Sequence, residues 1–350
     1  MEFTTGVRLQ IRITGADVGK RVSVRTLAQP RGAVGDGPRF TDTVGVLTSW
    51  TQGVLSITRR DGETVRIPEA SLVAGKTVPA APARRRGQPA AGVRELTGVA
   101  ARGWPAPDSE RIGGWLCRAA HHWTRRANSA FPLGGPEELA DPAALERVAA
   151  WYAERGLPAR LRVATGAADA HERLAARLER DGWTAEAHTA LLTGALAPLA
   201  DREPDTRVRV GRELTAQWLR GWPRTAGEAA DEETAAVARQ VLTGGPSVWF
   251  AVVPGAPESG DGPAAVGRCV VDGRWAGFAA IAVAPGRRRE GLATAVMAEL
   301  ARAALAEGAG AAWLEVETGN PGAQALYRGL GFTEHHHYHY RRAPGADRPG

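Results

Sequence analysis

Along residues 20–78 the chain alternates in short runs. Val22–Ala28, Thr43–Thr51, Val54–Arg60, Glu63–Ile67 and Leu72–Val78 are rich in Val, Ile, Leu and Thr and are separated by turn residues. That is the pattern of short β-strands. Gln52-Gly53 and Asp61-Gly62 stand between three of them, and such pairs favour tight hairpins because their turns need φ > 0. Pro68-Glu69-Ala70-Ser71 supplies one helical turn before the fifth strand. From Pro79 to about Ala91 the chain is Pro, Ala, Arg and Gly, which predicts a linker. Beyond about Gly92 long helical patterns alternate with short strands, an α/β signature.

Within that second region the pattern repeats. A helix Leu292–Glu307 precedes a strand Ala312–Glu317, then Thr318-Gly319, a helix Gly322–Gly329 and Gly331-Phe332. Earlier, a helix Pro142–Arg155 precedes a strand Arg160–Ala164, then Thr165-Gly166, a helix Asp169–Arg180 and Gly182-Trp183. Two related α/β units in tandem account for a region of this size.

Composition narrows the function classes. An apolar fraction of 43% and a charged fraction of 23% exclude wholesale disorder. The longest stretch of low polarity, Ala276 to Pro285, is far short of the ~20 residues of a membrane span. The start, MEFTTGVRLQIR, lacks the apolar core of a secretory signal, and two cysteines, Cys117 and Cys269, build no disulfide framework. A cytoplasmic protein is expected. The net charge of +6 would suit a polyanion. Yet Lys20 and Lys76 are the only lysines, so the excess is arginine accompanied by abundant Ala, Gly and Pro, as in GC-rich coding. The cluster Arg84-Arg85-Arg86 lies in the linker, and nucleic-acid binding ranks last.

The sharpest chemical signal is Ile281-Ala-Val-Ala-Pro-Gly-Arg-Arg-Arg-Glu-Gly291-Leu292-Ala293. A strand stops at Pro285, a basic loop follows, and a long helix opens at Gly291. Free N–H groups at a helix start, unobstructed at a glycine, suit a pyrophosphate, with Arg288 and Arg289 adding charge. Downstream stand Leu314-Glu-Val-Glu-Thr-Gly-Asn320 and Ala325-Leu-Tyr327-Arg-Gly-Leu-Gly-Phe332. Together these segments resemble the GNAT acetyltransferase superfamily. Its acetyl-CoA loop reads Arg/Gln-x-x-Gly-x-Gly/Ala, and its later segment reads Asn, then Ala-Leu-Tyr-x-x-x-Gly-Phe. The close resemblance covers about Trp275 to Tyr340.

The five strands with a helical turn before the last resemble an SH3-like barrel. The whole layout resembles actinobacterial GNAT proteins described as histone acetyltransferase-like. The expected architecture is an all-β SH3-like barrel at 1–78, a linker at 79–91, a degenerate GNAT-like unit at 92–200 and a catalytic GNAT domain at 201–345. The resemblance implies acetyl transfer from acetyl-CoA, as cosubstrate, directly to a primary amine on a protein or small molecule. It implies pantetheine pairing at Ile281 and Val283, pyrophosphate at Arg288, Arg289, Gly291, Leu292 and Ala293, Asn320 in the cofactor groove and Tyr327 as general acid. In the first unit the corresponding loop positions fall near Gly135 and Glu138 and the Tyr327 position on Leu178, so that copy lacks these groups.

Glu315 and Glu317 alternate onto one strand face, and Glu317 is the candidate base. No Ser–His–Asp or Cys–His spacing points to a covalent intermediate. His335, His337 and His339 share one strand face but are too collinear to close around a metal, so a strand beside the acceptor cleft is expected there. Trp218 and Trp222, one helical turn apart, read as core packing, with an acceptor wall as the lesser option. The rival to an enzyme is an acyl-CoA sensor or partner-binding regulator, which would have no use for Tyr327.

Overall fold

The computed structural model describes residues 11–27, 40–58, 64–77, 87–225, 232–255 and 262–345. The chain divides into two compact units, Met1–Ala81 and Pro82–Gly350. The first is all β: β1 (Arg21–Leu27), β2 (Phe40–Thr51), β3 (Val54–Thr58), β4 (Thr64–Pro68) and β5 (Leu72–Thr77) form an antiparallel sheet ordered β4-β3-β2-β1-β5. Alternation puts Val22, Val24, Leu55 and Ile57 on one face, where they meet Leu47 and Ile67. The β2–β3 turn has Gln52 and Gly53 both left-handed, at φ 52° and 72°, the two-residue geometry that matches strand twist. A 3₁₀ turn, Glu69–Ser71, leads into β5. Asp61-Gly62 and most of the linker lie outside the described residues.

The second unit begins with α1 (Val93–Gly103), β6 (Asp108–Ile112), β7 (Trp115–Ala119), β8 (Phe131–Pro132) and α2 (Pro136–Ala140). The first copy of the repeat follows as α3 (Pro142–Ala153), β9 (Arg160–Thr165), α4 (Glu172–Arg180) and β10 (Thr184–Ala195). After α5 (Leu196–Ala200), β11 (Arg209–Gly211), α6 (Ala216–Gly221) and α7 (Glu232–Thr243) come β12 (Val248–Val253), β13 (Ala265–Asp272) and β14 (Trp275–Val283). The second copy closes the unit as α8 (Leu292–Glu307), β15 (Ala311–Glu317), α9 (Pro321–Gly329) and β16 (Thr333–Arg342).

One eight-stranded sheet runs β11-β12-β13-β14-β15-β10-β16-β9. β14 and β15 are parallel, with α8 as their crossover. Leu292, Val296, Leu300 and Ala304 recur at helical spacing and bury α8 in the core with Phe278, Leu314 and Phe332. The two copies exchange their last strands. β10 lies between β15 and β16, and β16 lies between β10 and β9. The stretches 92–200 and 201–345 therefore share one hydrogen-bonded sheet.

A buried ion cluster crosses that exchange. Glu315 of β15 and Arg162 of β9 have side chains only 1% exposed and meet at 2.6 Å. Arg126, from the β7–β8 loop, reaches the other carboxylate oxygen at 2.9 Å, and the Tyr338 hydroxyl donates to it at 3.0 Å. Both oxygens are thus satisfied, which a buried carboxylate requires. Arg162→Ala should cost about 3–5 kcal/mol in urea unfolding. A loss under about 1 kcal/mol would show that the cluster does not hold the two copies together.

Candidate active site

The β14–β15 ladder ends early. Pairing runs from Trp275 opposite Ala311 to Phe278 opposite Leu314 and stops. Beyond it β14 bends away: Ala280 is left-handed at φ 53°, and the β13–β14 register slips between Val266 and Arg268. Such a bulge re-aims a strand. The backbone of Ala279–Val283 is left with no β15 partner on that side, and unpaired N–H and C=O groups within a cleft need hydrogen-bonding partners. The cleft so opened has a volume of about 620 Å³.

Ile281 lines one wall, and Glu317, Asn320 and Tyr327 stand across from it. The Asn320 carboxamide oxygen accepts the Ala323 N–H at 3.1 Å, capping α9, the helix that carries Tyr327. The Tyr327 ring packs edge-on against Phe332 at 6.2 Å, and its hydroxyl has no hydrogen-bond partner among the described residues. Burial pushes this phenol up to about 12, against the pull of Arg126. It therefore stays protonated at neutral pH. Glu317, at the exposed end of β15, also faces the cleft.

Val283 leads through a 3₁₀ turn, Pro285–Arg287, to the start of α8. Gly291 caps that helix at φ 77°, with no side-chain cap and nothing within 4 Å of where a Cβ would stand. The first-turn N–H groups, including those of Leu292 and Ala293, are open to an anion. Leu292 can serve only through its backbone, because its side chain is in the core. Arg288 and Arg289 are exposed, while Arg287 pairs with Glu290 at 2.8 Å.

The first copy differs at the same points. Asp141 caps α3 with its own carboxylate, accepting the Ala143 N–H at 3.1 Å. Glu138 folds back to the Gly135 N–H at 2.7 Å. Negative charge occupies both helix starts, and Leu178 is fully buried. These helix ends repel an anion.

The far wall comes from the loop between β7 and β8. His121, His122 and Thr124 all have left-handed φ, at 41°, 59° and 59°, which non-glycine residues hold only when braced. The brace is Asn128, buried, which accepts the Ala120 N–H at 2.8 Å and donates to the Trp123 and Thr124 carbonyls at 3.0 and 2.9 Å. Arg118, fully buried, adds hydrogen bonds to the Ser129 and Trp104 carbonyls. Trp104 stacks on Trp123 at 5.8 Å, and Trp222 meets both edge-on.

Several sequence expectations resolve here. Glu315 faces the cleft with Glu317, but burial, which alone would raise its pKa, is outweighed by Arg126 and Arg162, and the carboxyl is held at about 2. It is committed to the ion cluster and cannot serve as a base. Trp218 is core, its indole N–H donating to the Gly267 carbonyl at 2.9 Å, whereas Trp222 lines the cleft. The histidines do not converge. His335 contacts the Ala91 carbonyl, His337 pairs with Glu334, and His339 receives a hydrogen bond from Arg341. Among the described residues no His, Cys, Asp or Glu group is arranged to hold a metal. On that strand Tyr338 and Tyr340 face the cleft. Sequence reading missed His122, Arg125 and Arg126, because an irregular loop carries no periodicity, and Trp104, which stands just past the end of α1.

Comparison with known proteins places these observations. Residues 90–341 match the family model described as probable histone acetyltransferase Rv0428c C-terminal. Over 331 residues, 92% of this chain and 94% of the relative, the chain is 29% identical to the probable histone acetyltransferase Rv0428c of Mycobacterium tuberculosis. A GCN5-related N-acetyltransferase from Kribbella flavida superposes with a TM-score of 0.53 at 20% identity, covering 73% of this chain and 97% of that one. A tandem GNAT protein from the clavulanic acid biosynthesis pathway gives 0.51 at 14% identity, covering 75% and 91%. The fold of the second unit is that of GCN5-related N-acetyltransferases. No helix among the described residues is long and apolar enough to cross a membrane.

Acid should weaken this fold in two stages. Burial, then Arg162, push His336 from 6.5 down to about 3, and burial with Arg341 pushes His339 to about 4. Below about pH 6.5 the unfolded chain therefore binds protons that the folded chain refuses, and stability falls. Glu315, at 4.5 unfolded and about 2 folded, stabilises above pH 4.5 and loses that contribution as pH falls toward 2. Urea unfolding from pH 7 to 3 should show a declining midpoint, and Glu315→Gln should flatten the lower part. A midpoint constant from pH 7 to 4 would contradict the assignment for the histidines.

Proposed function

The chain belongs to the family of probable histone acetyltransferase Rv0428c C-terminal domains, and we propose that it is an N-acetyltransferase moving an acetyl group from acetyl-CoA directly to a primary amine. The observation that carries this reading is the free edge of β14 ending at an uncapped, glycine-started helix, with Tyr327 across the cleft. These residues fit acetyl-CoA, which supplies a thioester carbonyl activated toward amines. The backbone at Ile281 and Val283 pairs with the amide-bearing pantetheine arm as a neighbouring strand would. N–H groups of Gly291, Leu292 and Ala293, with Arg288 and Arg289, hold the pyrophosphate. Asn320 lines the groove and fixes α9.

Glu317 takes the proton that the acceptor ammonium must lose before its nitrogen can attack the acetyl carbonyl. As the C–S bond breaks, Tyr327 gives its proton to the leaving thiolate and regains one from solvent. Arg126 stabilises the phenolate left behind. One acetyl-CoA binds per chain, because the acid-capped helix starts of the first copy exclude a second.

The remaining organisation follows the same reading. Residues 1–78 form an SH3-like barrel, whose five-strand order and 3₁₀ turn before β5 support it. Residues 92–200 form a degenerate GNAT-like unit, and residues 201–345 carry the chemistry. The protein is cytoplasmic.

Tyr327→Phe keeps the ring against Phe332 and removes one oxygen. Turnover should fall about 10²–10⁴-fold with acetyl-CoA affinity little changed. A full-rate Phe variant would end the acid role. Gly291→Glu forces φ 77° on a side chain and sets a carboxylate before the helix. Calorimetry should find acetyl-CoA binding lost in a protein that still unfolds cooperatively, and retained affinity would refute the site.

A further inference from the structure

Two residues of the cleft are held from behind by one buried guanidinium. Arg118 of β7 is 1% exposed, and among the described residues no carboxylate pairs with it. Its Nη1 donates to the Trp104 carbonyl at 2.8 Å, its Nε to that of Ser129 at 3.3 Å, and its Nη2 to that of Arg126. The Ser129 hydroxyl, also buried, donates to the same Arg126 carbonyl at 3.1 Å and accepts from Arg118 Nη2 at 3.5 Å. Tyr152 fixes Arg118 in turn, its hydroxyl accepting the Arg118 N–H and donating to the Arg118 carbonyl, each at 3.1 Å. A buried charge without a counter-ion burdens a fold, and an apolar side chain fills the same space with less penalty. What the planar fork supplies instead is geometry, three carbonyls fixed by one rigid group.

Two of those carbonyls belong to residues whose side chains meet in the cleft. Trp104 and Arg126 both line it, with the Arg126 guanidinium 5.2 Å from the Trp104 ring centroid. Arg126 also meets Glu315 at 2.9 Å. Its backbone is thus gripped at one end and its charged head at the other, which leaves the cation one place to stand. Tyr327 lines the same cleft. Burial raises its phenol, and Arg126 is the charge that pulls it down. The other titratable side chains of the cleft are His122, Arg125, Arg224, Glu315 and Glu317, with the phenols of Tyr338 and Tyr340. On α9 itself Arg328 is bonded to Gln324 at 3.0 Å.

We infer that Arg118, with Ser129, is a positioning residue for the acid: it fixes the backbones of Trp104 and Arg126 so that the Arg126 cation stands in the cleft that Tyr327 lines. Arg118 does not line the cleft itself and acts through Arg126. The use of Tyr327 as an acid rests on the acetyl-transfer reading, whereas the control of its ionisation does not.

The chain has four tyrosines, so protein grown with 3-fluorotyrosine gives four fluorine resonances, and Tyr327→Phe assigns one. Fluorine acidifies a phenol and brings its titration closer to neutral pH. Removing a nearby cation disfavours the phenolate, so the Tyr327 midpoint should rise by about one pH unit in Arg126→Gln. Arg118→Lys keeps the charge but cannot hold three carbonyls, and should raise the midpoint by at least ~0.5. Ser129→Ala, a smaller change, should raise it by ~0.3. The double variant Arg118→Lys/Arg126→Gln should titrate where Arg126→Gln does, because the effect passes through Arg126. Urea unfolding establishes that each variant is folded, and Ser129→Ala carries the test alone if Arg118→Lys is not. An unmoved midpoint in either folded variant, or a double variant shifted beyond Arg126→Gln, would overturn the inference. The expected midpoints in a protein that transfers acetyl to no amine would uphold it and instead refute acetyl transfer.

Discussion

The cleft exists because two parallel strands that begin as neighbours cannot remain so. At the paired end Gly277 lets the Trp313 ring lie against its backbone, where a Cβ would stand within 2.5–2.8 Å of that ring. Three residues on, Ala280 turns left-handed and β14 leaves the ladder. On the β15 side the next cleft-facing residue is Glu315, tied to Arg162 of the first copy and to Arg126 of the β7–β8 loop before it. A bulge on one strand and a carboxylate anchored elsewhere on the other hold the sheet open. Every group read as functional is placed by that opening: a strand edge without a partner, a helix start at its end, and the cap and phenol of α9 across from it.

The first copy of the repeat differs from the second at its helix starts. Its helix starts are closed by Asp141 and Glu138, so the kind of helix-start group left open at Gly291 is satisfied internally here. What the first copy contributes is structural and electrostatic. β10 completes the sheet beside β15 and Arg162 helps neutralise Glu315, while the braced β7–β8 loop just before this copy brings Arg125 and Arg126 to the cleft. The strand exchange makes these contributions inseparable, since each copy's last strand is hydrogen-bonded within the other.

Much of this was legible in the residues. Period-two runs and the Gln52-Gly53 turn marked the β unit. α8 was readable to its ends because Gly291 and Gly308 bracket an apolar stripe. The Asn320 and Tyr327 segment and the glycine-started helix were readable because local backbone demands impose local residue choices. The strand exchange was not, since nothing in a strand's own alternation names its neighbour. Nor was the commitment of Glu315, because its partners stand 153 and 189 positions away in the chain. The loop from His121 to Arg126 was invisible for a third reason: strain held by side-chain hydrogen bonds from Asn128 leaves no periodic trace.

In the proposed function, the free edge of β14 and the open start of α8 receive acetyl-CoA. Amide hydrogen exchange with and without acetyl-CoA addresses both segments at once, independently of any acceptor. Exchange should slow at residues 279–283 and 291–294 while residues 136–145, the acid-capped starts in the first copy, stay unchanged. Slowing at 136–145 instead, or no change at 279–283 under saturating acetyl-CoA, would contradict the account.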